Sequence, residues 1–217
     1  MHEPKTVVLG GNRFPFHRIE RLGPVLERSL HDRGIDAEVT TDRDVLRAER
    51  IREYDAVVDI TTDSTLNEDQ QAGLHSFVEG GGGYVGIHGA ADLTTTADER
   101  LEEPIPGFRE LIGGHFLGHP EQSTFDVNVV DSHHPITAGL DGFTVWDEPY
   151  VLEYDEDVRV LARMDHPENG DMPVAWVKSF GDGRVFYCSL GHGLPGLRND
   201  GVQTLLERGI RWAARNE

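Results

Sequence analysis

Short apolar runs that end in glycine or a polar turn recur through the first half of the 217-residue chain, interleaved with stretches of helical spacing. Residues 5–11 (KTVVLGG) read as a buried first strand. Ile19, Leu22, Val25, Leu26 and Leu30 then recur every three or four positions, the period of one helix face, until Gly34 supplies a stop. Residues 36–40 (DAEVT) predict a second strand, suited to a sheet edge, and 54–61 (YDAVVDIT) a third. Asn67 is placed to cap a helix whose inner stripe includes Leu74, Phe77 and Val78. The glycine run 80–83 then opens a fourth strand at 84–87. Strands and helices alternating in this order predict a parallel sheet covered on both faces.

The second half has another grain. Residues 92–121 are rich in Gly, Pro and Thr, with one helix expected around 108–112. Short β-like runs follow at 124–130, 143–146, 158–162, 174–177 and 184–190, and Gly181-Asp182-Gly183 predicts a hairpin turn between the last two. A closing helix from about residue 202 carries Leu205, Leu206, Ile210 and Ala213 on one face. No repeat or low-complexity linker interrupts the chain, so residues 1–217 are expected to form one domain.

Charge and cysteine usage narrow the function classes. The formal net charge is −19, from 39 acidic against 20 basic residues, of which only Lys5 and Lys178 are lysine. Without a basic stripe to neutralise phosphates, nucleic acid is not an expected partner. The acids are dispersed rather than blocked, which reads as a surface adapted to high salt (a halophilic pattern), with an acidic face for a basic partner as the alternative. Cys188 is the only cysteine, so an intramolecular disulfide and a cysteine-rich metal site are excluded. The first residues lack the apolar core of a signal peptide, and no apolar run reaches membrane-spanning length, so the expected location is cytoplasmic with no membrane partner.

In open parallel sheets ligands bind beyond the carboxyl ends of the strands, which directs attention to residues 10–17, 61–66, 88–92 and 191–196. The sharpest signal there is G-Y-V-G-I-H-G-A-A-D at 83–92. Small residues on either side, Gly86 and Gly89, permit a tight strand-to-loop turn that pushes His88 out of the sheet, the geometry of a nucleophile elbow. An imidazole there suits acid–base work or metal ligation rather than acyl transfer; the alternative is a histidine packed at a strand end. His192 leaves the apolar run 185–190 near the same rim, and Asp147-Glu148 precede Tyr150. Two histidines and a carboxylate can polarise a sugar carbonyl and move a proton beside it, or hold a divalent metal. His115 and His119 stand four apart, but Gly118 and Pro120 argue against a helix, and His119 is the one expected to face a ligand from a loop. The 80–83 glycines precede a strand, and Gly10-Gly11-Asn12-Arg13 spells no dinucleotide fingerprint, so no nucleotide cofactor is expected. Cys188 lies inside a strand without an elbow and reads as an inert thiol.

Taken in order, V-G-I-H-G at 85–89, L-I-G-G-H-F at 111–116, G-H-P at 118–120, H-P-I-T-A-G-L at 134–140, D-E-P-Y at 147–150, P-V-A-W at 173–176, G-R-V-F-Y at 183–187 and S-L-G-H at 189–192 resemble the ThuA (trehalose utilisation) family. The resemblance spans nearly the whole chain, with Gly10-Gly11 and Phe16-His17 as a looser match. It implies an α/β fold of the flavodoxin-like, class I glutamine amidotransferase-like type, a three-layer sandwich with a mostly parallel central sheet and an antiparallel extension. In the amidotransferase relatives, cysteine stands where this chain has His88. The resemblance also implies a role in the catabolism of trehalose-type disaccharides or keto-sugars, and self-association into a homo-oligomer. On this reading His88, His192 and Glu148 are the catalytic or metal-ligating groups of an enzyme acting on a small sugar derivative, while His17, Asp92, His119, Trp146 and Tyr150 contact substrate. A non-catalytic sugar-binding or assembly module and an amide hydrolase are the alternatives; the missing elbow cysteine argues against the second.

The charge pattern generates a first prediction. Raising KCl from about 0.1 M to 2 M, where the screening length falls to a few ångströms, raises the thermal midpoint of unfolding. A midpoint that is flat or falls with salt contradicts the salt-adapted reading.

Overall fold

The computed structural model describes residues 3–11, 16–62, 66–96 and 100–216. Its elements are β1 (Lys5–Leu9), α1 (Ile19–His31), β2 (Asp36–Thr40), β3 (Ala56–Asp59), α2 (Glu68–Glu79), β4 (Gly83–Ile87), α3 (Pro106–Ile112), β5 (Gly114–Gly118), β6 (Ser123–Val129) and β7 (Phe143–Asp147). They continue with β8 (Val151–Tyr154), β9 (Arg159–His166), β10 (Gly170–Phe180), β11 (Gly183–Cys188), α4 (Leu194–Leu197) and α5 (Asp200–Ala213), and 3₁₀ turns lie at Arg43–Leu46, Ile51–Glu53 and His88–Ala91.

Nine strands form one sheet in the order β2-β1-β3-β4-β11-β10-β9-β6-β7, and β5 pairs with β8 apart from it. The first half assembles as its sequence predicts. The β1, β3 and β4 runs lie side by side and parallel, with β2 outermost on β1. Successive residues of these strands enter different cores: Val8, Val58 and Val85 pack with α1 and α5, while Val7, Val57 and Tyr84 pack with residues of α2 and α3. A strand buried on both faces must be apolar at nearly every position, which is why these runs show no alternation. Asn67 caps α2 through a reciprocal box with Gln70, the side chain of each accepting from the other's backbone N–H.

The expectation of a mostly parallel sheet is corrected. Parallel pairings join β2, β1, β3, β4 and β11, but β11–β10, β10–β9, β9–β6, β6–β7 and the separate β5–β8 pair are all antiparallel and outnumber them. The physical reason is connection length. Gly181-Asp182 turns β10 directly into β11, and a two-residue loop can join only antiparallel neighbours. β6 alternates exposed Thr124, Asp126 and Asn128 with buried Phe125 and Val127, the pattern of a sheet with one wet face. β5, β8 and α4 were not foreseen. Among the described residues no helix is long and apolar enough to cross a membrane.

Candidate functional site

Three imidazoles arrive at one point from beyond the carboxyl ends of three strands of the parallel half, β1, β4 and β11. His88 follows β4, and its backbone is left-handed at φ 45°. A non-glycine residue in that region stores about 1–3 kcal/mol of strain. The turn is the expected elbow: a Cβ on Gly89 would press into the Thr62 hydroxyl, so only glycine lets the chain double back here. His17, beyond β1, is also left-handed at φ 52°. His192 follows β11 through Gly191 at φ 105°, a conformation that favours glycine. The fourth group, Glu148, comes from the far edge of the sheet, just past β7.

The four meet tightly. One donor atom from each of His17, His88, Glu148 and His192 lies within 4.8 Å of all the others. His192 Nδ1 is 2.8 Å from His17 Nε2, 3.1 Å from His88 Nε2 and 3.1 Å from Glu148 Oε2. His88 Nε2 is 3.3 Å from the same carboxylate oxygen. Two of the rings have a partner for the outer nitrogen: His88 Nδ1 donates to the Ser189 carbonyl at 2.6 Å, and His17 Nδ1 lies 2.6 Å from the Thr62 hydroxyl. Tyr187 donates to the His88 carbonyl at 2.9 Å, and the Tyr150 ring lies over the His88 ring with centroids 4.0 Å apart.

Burial, reinforced by the neighbouring His88 and His192, pushes the His17 ring down to about 2, so it is neutral at any ordinary pH. Burial also works to raise Glu148, but the His192 and His88 imidazoles facing it outweigh that and hold its carboxyl below the usual range. Burial raises Cys188 to about 12, which makes it an unreactive thiol.

Asp147 holds the arrangement together and was not singled out as a site residue from sequence. It is buried at the end of β7, and its Oδ2 accepts from Gly191 N–H at 2.6 Å while Oδ1 accepts from His192 N–H and Glu148 N–H at 3.0 Å each. One carboxylate thereby sets the backbone of two of the four converging residues. Burial raises its own proton affinity, which these N–H groups and His88 oppose.

Above the centre lies a cavity of about 790 Å³. His17, His192, Glu148, His119, Asp92 and Tyr150 line it. His88 lies beneath the floor, 1 % exposed, and reaches the cavity through Glu148 and His192. His119 stands at the rim just after β5, with Nδ1 3.5 Å from Glu148 Oε1, whereas His115 sits on the strand itself and is absent from the cavity wall. Asp92 accepts from the Thr95 hydroxyl at 2.7 Å. Trp146 is a correction: it is 50 % exposed and not part of the cavity, because Asp147 next to it points inward and strand alternation turns Trp146 outward. Phe16, Phe116, Arg100 and Gln122 also line the cavity. Phe16 and Phe116 stand within motifs that carried the resemblance, whereas nothing local in the sequence marks Arg100 and Gln122.

An α/β scaffold with a histidine–carboxylate centre at the strand ends, and no thiol within it, is the class that this geometry defines. The family model described as trehalose utilisation matches residues 6–213, and the chain belongs to this ThuA family. Among solved structures it is similar to a ThuA-like protein of Parabacteroides merdae at TM-score 0.82 and 20 % identity, covering 99 % of this chain and 91 % of that one. A cytoplasmic protein of Salmonella typhimurium LT2 matches at TM-score 0.71 and 18 % identity, over 96 % and 99 % of the two chains. A β-galactosidase of Rahnella sp. R3 matches at TM-score 0.73 and 16 % identity over 99 % of this chain but only 32 % of its own. At such identities the likeness establishes a shared fold. No curated protein matches the chain.

Replacing Asp147 with Asn removes one of the two acceptor oxygens and turns an amide N–H₂ toward backbone N–H donors. Asp147→Asn is expected to lower stability by about 1–3 kcal/mol, read by chemical denaturation. Unchanged stability contradicts the role assigned to this carboxylate.

Proposed function

We propose that the protein is a cytoplasmic enzyme of carbohydrate catabolism acting on a small sugar derivative, a trehalose-type disaccharide or a keto-sugar, within a three-layer amidotransferase-like scaffold. The observation that carries this reading is the convergence of His17, His88, His192 and Glu148 at the floor of a cavity of the size that encloses small ligands. Family membership supplies the link to disaccharide use. A substrate carbonyl resting on the floor meets the His192 imidazole, which the buried His88 backs from beneath; a divalent ion held by the two rings would supply the same polarisation. Glu148, ionised and facing His119, takes or returns the proton beside that carbonyl. Phe116 and Tyr150 offer apolar walls for a sugar ring, and Asp92, Arg100 and Gln122 offer polar partners for its hydroxyls. Location in the cytoplasm is supported by the description of the Salmonella typhimurium protein.

A second reading, a non-catalytic sugar-binding or assembly module, is favoured by the Rahnella β-galactosidase, in which a similar fold accounts for about a third of a longer chain. Amide hydrolysis lacks support, because the thiol is buried in β11 and an imidazole stands at the elbow.

Incubation with trehalose and a panel of keto-sugars, followed by chromatography, separates these readings. Turnover of at least one sugar is expected, and His88→Ala is expected to reduce kcat by about 10²–10⁴-fold. Binding without turnover, alike in both proteins, supports the module instead. Ammonia release from glutamine would revive the hydrolase.

A further inference from the structure

We infer that His17, His88, His192 and Glu148 form a preorganised site for one divalent transition-metal ion of the zinc type, with three imidazole nitrogens and one carboxylate oxygen as ligands. The inference deepens the proposed function and rests on the same four groups facing one point. Ion binding, rather than turnover, is what tests it.

The argument starts from valence at His192. Its Nδ1 carries either one hydrogen or one lone pair, so it can make one in-line hydrogen bond. Three atoms nevertheless crowd it at 2.8, 3.1 and 3.1 Å: His17 Nε2, His88 Nε2 and Glu148 Oε2. Contacts of nearly equal length around a single-valence atom are what the edges of a coordination polyhedron look like. Bonds of about 2.0–2.2 Å to a central ion place neighbouring ligand atoms about 2.9–3.5 Å apart, close to the spacings around His192 and between His88 and Glu148, while the set as a whole lies within 4.8 Å and draws in around the ion.

The tautomers agree with this. With His88 Nδ1–H committed to the Ser189 carbonyl, the neutral ring turns a lone pair inward from Nε2. His17 is oriented in the same sense, Nδ1 against the Thr62 hydroxyl and Nε2 inward. A ring whose outer nitrogen is bound to a carbonyl or hydroxyl is the usual posture of a metal-ligating histidine. A further layer is present too, because Asp147 fixes the backbone of both His192 and Glu148.

Donor chemistry sets the ion class. Three imidazoles and one carboxylate suit zinc, iron, cobalt or nickel, whereas calcium and magnesium prefer all-oxygen sets. The cavity lies on the open side of the centre, since His17, His192 and Glu148 all contribute to its wall. A substrate oxygen can therefore reach the ion, the arrangement of a catalytic rather than a closed structural site.

The full chain, stripped with a chelator and dialysed, is titrated with Zn²⁺ and separately with Co²⁺, with bound ion counted by elemental analysis. One ion per chain is expected. His17→Ala is expected to weaken binding at least about tenfold, while His115→Ala, outside the cluster, stays within about twofold of the parent. X-ray absorption on the unmutated Zn²⁺-loaded protein, which needs no variant to fold, is expected to count three imidazole ligands. Failure to retain a stoichiometric ion, unchanged affinity in a folded His17→Ala protein, or an imidazole count of two or fewer overturns the inference. Sugar turnover by protein that holds no ion would sink the metal site and leave the sugar reading standing. A bound ion with no sugar consumed would do the opposite.

Discussion

The structure depends on one buried carboxylate that ties its two halves together. Asp147 ends β7, the strand at the far edge of the antiparallel half, yet its oxygens accept from the backbone of Gly191 and His192, which follow β11 in the parallel half. The antiparallel strands therefore carry their edge back over the carboxyl ends of the parallel ones, where α4 packs against β7. Gly196 on α4 admits this approach, because a Cβ there would collide with the Asp147 carboxylate. A buried carboxylate without partners is strongly unfavourable. Three backbone N–H groups satisfy it, and its burial fixes the direction of Glu148.

From that tie the rest of the centre follows. Parallel strands end at one rim by topology, so β1, β4 and β11 bring His17, His88 and His192 to neighbouring places without long-range design. What must be specified is direction, and left-handed backbone supplies it at His17, His88 and Gly191. Strain at His88 is sustained by surrounding packing: Tyr150 covers its ring, and Tyr187 holds its carbonyl. The same packing excludes water from His88 and leaves His17, Glu148 and His192 facing the cavity.

Much of this was legible in the sequence, and the failures have identifiable causes. The inner strands of the first half were readable because burial on both faces leaves them largely apolar. His88 was readable from the glycines on either side, and His192 from its place after an apolar strand. The balance of parallel to antiparallel pairing was not, since a short apolar run looks the same in either. Register shifts where β10 meets β9, near Pro173 and Ala175, break the alternation that would have revealed the full length of those strands. β5 and β8 are four or five residues long and lie among glycine and proline, too short for a period to emerge. Trp146 was misplaced although F-T-V-W-D held the answer: an inward Asp147 requires an outward neighbour. The role of Asp147 itself was hidden because two of its three partners are backbone N–H groups more than forty residues away, which leave no trace in side-chain spacing.

The central claim is that four groups from distant parts of the chain address one point. Anomalous diffraction at the zinc edge, from crystals of the protein equilibrated with Zn²⁺, tests it directly. The account predicts a single strong peak about 2.0–2.2 Å from His17 Nε2, His88 Nε2, His192 Nδ1 and Glu148 Oε2. A peak elsewhere with this centre empty, or rings turned so that those nitrogens do not face a common position, contradicts it.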